Sequence, residues 1–129
     1  EDLFELSRGL DEVINGAKNT VREAEALSMT PNGPMGEMCD LLAEGVHHLG
    51  AAFTALDGDF TTADTEALAA IKAQRNLERI YRRAMSKLIA KDDLREVAGR
   101  QELYRRMVRI SENVVLVADR VMYATVKES

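Results

Sequence analysis

The fold turns on the stretch Leu103-Tyr104-Arg105-Arg106-Met107-Val108-Arg109-Ile110-Ser111-Glu112-Asn113-Val114-Val115-Leu116-Val117-Ala118-Asp119-Arg120-Val121. Its inner run Val114-Val115-Leu116-Val117 has, taken alone, the β-branched make-up of a strand. The wider spacing decides otherwise. Leu103, Met107, Ile110, Val114, Val117 and Val121 recur at alternating steps of four and three, which puts them on one face of a helix with charged residues between them. Helix four is therefore expected to run to about Thr125, after the connector Lys91-Asp92-Asp93. Asp93 with Glu96 three residues on forms a capping-box pattern at its start.

Working outward, the same periodicity recurs three times. Ala67, Ala70, Leu77, Tyr81, Ala84 and Leu88 carry a third helix, capped by the hydroxyl of Thr61 or Thr62 and running to about Ala90. Met38, Leu42, Gly45, Leu49, Ala52 and Leu56 carry a second, opened by Pro34 and ended by the turn Asp57-Gly58-Asp59. Leu3, Leu6, Leu10, Val13, Ala17, Thr20, Ala24 and Leu27 carry the first, over residues 2–28, broken by Thr30-Pro31-Asn32-Gly33-Pro34. Four rods of about 35–45 Å joined by short loops predict an all-α, antiparallel up-and-down four-helix bundle, one domain over residues 1–129.

Composition agrees. Leu, Ile, Val and Phe make up 32 of the 129 residues, enough for a core, while 17 Ala and only 2 Pro favour helices over a β-sandwich. No window of about 18 apolar residues and no apolar leader is present, so neither a membrane span nor a secretory signal is expected. The single Cys39 has no partner for a disulfide or a zinc finger and fits a reducing, cytoplasmic setting. Charge is divided: residues 1–66 hold 3 basic and 14 acidic side chains, residues 67–129 hold 14 basic and 8 acidic ones. The two halves should attract each other, or the basic half should present a face to an anionic partner.

Chemistry-bearing patterns are sparse. Glu44-Gly45-Val46-His47-His48 contains the Glu-x-x-His spacing of di-iron bundles, but two adjacent histidines cannot supply the two pairs that such a site needs, and His48 is read as solvent-facing beside Glu44. Asp57-Gly58-Asp59 starts like a calcium loop and lacks the glycine and glutamate that complete one. Cys39 and the histidines stand about 12 Å apart along one helix, too far for a nucleophile and base. No phosphate loop or nucleophile elbow is present, so an enzyme is not expected. Arg75, Arg79 and Arg82, with Arg83, form a ladder at helical spacing that suits an anion or an acidic partner, or else a solvated face paired with the acidic helices. No aromatics are interleaved with it, which speaks against nucleic acid. Gln74, Glu78, Asp11, Asn15 and Glu112 are polar residues at or beside seams.

Glu1-Asp2-Leu3-Phe4 followed by Leu10-Asp11-Glu12-Val13-Ile14, then Leu77-Glu78-Arg79-Ile80-Tyr81-Arg82-Arg83-Ala84, then Ser111-Glu112 and Val117-Ala118-Asp119 to Val126-Lys127, resembles the PhoU-like accessory family encoded beside Pit-type phosphate transporters. The resemblance spans nearly the whole chain and matches the later four helices of a six-helix bundle, so it implies a piece of that fold with part of its apolar face open and a tendency to homo-oligomerise. It implies a cytoplasmic, non-enzymatic regulator or adaptor of inorganic phosphate transport, peripheral to the membrane at most, whose partner is a transporter or signalling protein. The alternatives are a metal-binding carboxylate bundle and a purely oligomerising module. The wider group binds metal through acidic pairs four residues apart. Here those positions read Asp11 and Asn15, Gln74 and Glu78, and Val108 and Glu112. Each pair has lost a carboxylate, which leaves Asp11, Glu78 and Glu112. The expectation is no cofactor, or at most one weakly held divalent metal.

Overall fold

The computed structural model describes residues 2–128, with side chains from Phe4 to Lys127. It contains four α-helices: α1 (Asp2–Ala26), α2 (Gly33–Ala55), α3 (Phe60–Leu88) and α4 (Leu94–Glu128). The all-α bundle read from the periodicity is what forms, and the valine run of helix four is helical. The boundaries differ in detail. α1 stops at Ala26, two residues early, where Ser28 adopts a left-handed conformation with φ 54°. α3 is capped by Asp59, whose carboxylate accepts from the Thr62 backbone and hydroxyl at 3.1 and 2.7 Å, and not by Thr61 or Thr62. A carboxylate outcompetes a hydroxyl there because it accepts two bonds at once. Asp93 caps α4 as expected, accepting from Arg95 and Glu96 backbone N–H groups at 3.1 and 3.2 Å. Glu96 turns to Arg100 at 3.1 Å, so the capping box is half made.

The helices do not enclose one another evenly. α3 lies between α2 and α4, α2 also reaches α4 across the diagonal, and α1 packs on α4 alone among the described residues. All six seam residues of α4 are buried, from Leu103 to Val121, because α4 is the floor on which the others rest. The core has two apolar clusters. One gathers Leu6, Val13, Leu49, Val114, Val117 and Val121 around the alanines of α3; the other gathers Met35, Met38, Leu77, Leu88, Leu103, Tyr104 and Met107. The buried Gln74 sits between them and bonds to Glu78 at 2.5 Å and to the buried Ser111 at 3.5 Å, so its amide is satisfied inside the protein. A second polar pin, Thr125 to Asp64 at 2.5 Å, ties α4 to the start of α3.

α1 approaches α4 through glycines. A Cβ on Gly9 would stand 2.6 Å from Val117 Cγ2, and one on Gly16 would stand 2.9 Å from Ile110 Cγ1. The two glycines are seven residues apart, on one face, and let the backbone settle against β-branched knobs. Glu5–Arg120 at 3.4 Å and Glu23–Arg106 at 3.5 Å then bracket the contact. These pairs join the acidic first half to the basic second half, the attraction foreseen from the charge division.

Candidate functional site: an open apolar groove

Because α1 rests on α4 without reaching α2, the two helices face each other across a groove of about 870 Å³. Ile14, Ala17, Val21 and Ala24 form one wall, Cys39, Leu42, Ala43 and Val46 the other, and Met107 and Ile110 of α4 the floor. The reason for the opening is local. α1 has a wider apolar sector than one seam needs: Leu6 and Val13 point at α4, whereas Ile14 and Val21 belong to a second stripe and remain 43% and 59% exposed. Across the gap, α2 presents Leu42, Ala43 and Val46, and its backbone does not come close to that of α1 among the described residues.

One end of the groove is fixed by a strap. The buried Arg100 donates to the Thr30 carbonyl, to Glu96 at 3.1 Å and to the Met35 sulfur at 3.0 Å. Beside it, Asn32 donates to the Tyr104 hydroxyl at 2.8 Å while its carbonyl caps α2 through Met35 N–H at 3.0 Å. Met29 packs over Gly99, where a Cβ would stand 2.3 Å from the methionine methyl carbon, so a larger residue there would make the end of the Met29 side chain shift.

The charged residues of α1 divide between its flanks. Glu5, Glu23 and the Arg8–Glu12 pair are engaged in ion pairs. Lys18 and Glu25 line the groove, Asp11 lies seven residues before Lys18 on the same face, and among the described residues none of these three joins an ion pair. Cys39 is at the opposite wall, and partial burial, followed by the neighbouring Asp40 carboxylate, pushes its thiol above the ordinary range.

The other residues singled out in the sequence are scattered. Asp11 and Glu112 are exposed on α1 and α4, and Glu78 is half-buried on α3, occupied by Gln74 and by Arg82 at 3.3 Å. Among the described residues α1 does not touch α3, so Asp11 is not brought to Glu78. Among the described residues no cluster of three or more His, Cys, Asp or Glu side chains is suited to a metal. Arg75 and Arg79 are exposed along α3, away from the groove, with Arg79 donating to Asn76 at 3.2 Å, while Arg82 is turned back to Glu78. His48 is not the solvent-facing neighbour of Glu44 expected from spacing. It is half-buried, with Nδ1 2.6 Å from Glu66 on α3, because packing α2 on α3 supplies a carboxylate at closer range than its own helix does.

Sequence reasoning missed the groove walls. The signal was present in Val13-Ile14 and in Val21, apolar residues that a single seam does not use. No helix among the described residues is long and apolar enough to cross a membrane. Compared with protein-family models, curated proteins and solved structures, the chain matches none.

Proposed function

We propose that this chain is a non-enzymatic interaction module that receives an apolar helix of a partner protein in the groove between α1 and α2, and that the partner belongs to inorganic phosphate uptake. The observation that carries the first part is the second apolar stripe of α1, with Ile14 and Val21 left exposed over a floor of Met107 and Ile110. Helix-in-groove recognition uses such i, i+3, i+4, i+7 anchor sites. The groove is lined mainly by apolar side chains contributed by two facing helices, with Lys18 and Glu25 among them, which suits the apolar face of a third helix. The second part rests on the PhoU-like sequence pattern. Arg75 and Arg79, exposed on α3, offer a separate contact for an acidic region of the same partner.

The test is co-purification with a tagged phosphate permease from the same cell, together with uptake of radiolabelled phosphate. The double variant Ile14→Arg with Val21→Arg should lose both while its helical circular dichroism is retained. Unchanged co-purification and unchanged uptake would refute the proposal. Loss on charge reversal of Arg75 and Arg79 alone would move the docking face to α3.

A further inference from the structure

The proposed groove has walls of different electrical character, and this bears on what fills it. On α1 the residues Asp11, Lys18 and Glu25 repeat at seven-residue intervals along the rim with signs minus, plus, minus, Arg22 one turn after Lys18 reinforces the positive middle, and none of the four is engaged in an ion pair among the described residues. Seven residues is two helical turns, so the three charges stand in one row beside the apolar wall, in the position that flanking charges occupy beside a coiled-coil seam. Such rows set the identity of a partner more than its strength of binding.

The sign pattern reads the same in both directions. A second copy of α1 laid antiparallel in register would therefore face like charges, with Asp11 opposite Glu25 and Lys18 opposite Lys18, whereas a parallel copy would set the row against its other flank, where Leu10, Ala17 and Ala24 carry no charge. Antiparallel self-association through this groove is penalised and a parallel copy gains nothing from the row, whereas a helix of opposite pattern is favoured in either orientation. Asp40, exposed on α2 and likewise outside any ion pair among the described residues, adds a further negative charge on that helix.

Resting on the docking reading above, we infer that the occupant of the groove is an amphipathic helix of a different protein, whose flank carries basic, acidic and basic residues at seven-residue spacing beside an aliphatic stripe. The rim row selects this helix over its charge-reversed counterpart and over a second copy of the chain, which it repels when antiparallel and does not attract when parallel.

Two synthetic helical peptides of about 21 residues test it, with identical leucine stripes and with flanks Lys-Glu-Lys or Glu-Lys-Glu at heptad spacing. Binding of each to the full chain is followed by fluorescence anisotropy at low and high salt. The Lys-Glu-Lys peptide should bind about tenfold tighter, the combined effect of three surface ion pairs, and the difference should shrink in high salt. The triple variant Asp11→Lys, Lys18→Glu, Glu25→Lys should invert the preference, with circular dichroism confirming its fold. Equal binding of both peptides, lost on Ile14→Arg, would overturn the inference and leave the groove reading standing. Binding of neither peptide would overturn both. A dimer by light scattering that Ile14→Arg dissociates would identify the occupant as a second copy and overturn the inference.

Discussion

α1 and α3 are similar rods, 25 and 29 residues long, each with an apolar stripe, yet the bundle treats them differently. α3 is held between α2 and α4 and buries Ala63, Ala67, Ala70, Leu77, Ala84 and Leu88 in one continuous line. Among the described residues α1 is held by α4 alone, through a glycine-lined contact, and keeps an apolar flank uncovered. The three-helix unit of α2, α3 and α4 therefore supplies most of the cooperative core, and α1 is an added wall whose free side is available for recognition. An apolar stripe in a sequence says that a surface seeks cover, not which molecule provides it.

The comparison can be broken at several points. Leu103→Ala or Leu77→Ala, within the three-helix unit, should remove about 2–5 kcal/mol of stability in chemical denaturation, because both are fully enclosed. A truncation on α1 should cost less and depend on which side it strikes: Val13→Ala, buried on α4, about 1–3 kcal/mol, and its neighbour Ile14→Ala no more than about 0.5 kcal/mol. Equal losses at these two positions would mean that the groove is closed in solution. Glycine replacements should differ in sign. Gly9→Ala should lower stability by about 1 kcal/mol, the crowding of Val117 outweighing the gain in helix propensity. Gly50→Ala, in the interior of α2 with nothing within 4 Å of the new methyl, should raise stability by about 0.5–1 kcal/mol. The smallest effect belongs to the α3 cap. The Thr62 hydroxyl and then its backbone N–H hold the Asp59 carboxyl below its ordinary value, so its contribution is fully present above that value and disappears as pH falls through the lowered one. Asp59→Asn should remove this contribution, so that its melting temperature lies slightly below that of the parent at neutral pH and the two curves converge as pH falls through the lowered value.

The four helices and the α4 seam were legible because a 3.6-residue period over many turns is a strong signal that local propensity does not cancel, as the valines at 114–117 demonstrate. The cap of α4 at Asp93 was legible for the same reason: caps are local. What could not be read was where neighbouring helices come to rest. Spacing offers His48 the nearby Glu44, but its partner Glu66 is 18 residues away in sequence and meets it only through packing. Arg100, unremarkable among 17 basic residues, becomes buried because Thr30, 70 residues earlier, presents a carbonyl to it. Gln74 was recognised as a seam residue, whereas its partner Ser111 across α4 was not, since one hydroxyl on an apolar face carries no periodic signal.

The strap at Arg100 and Tyr104 has a mechanical consequence. With the chain anchored just before α2, any outward swing of α1 must pivot near Thr30, so displacement grows towards Phe4 and is least near Ala24. Amide deuteration should accordingly advance along α1 as a gradient from its first turns towards its last. An arriving helix would then meet jaws that part at one end while the other stays clasped.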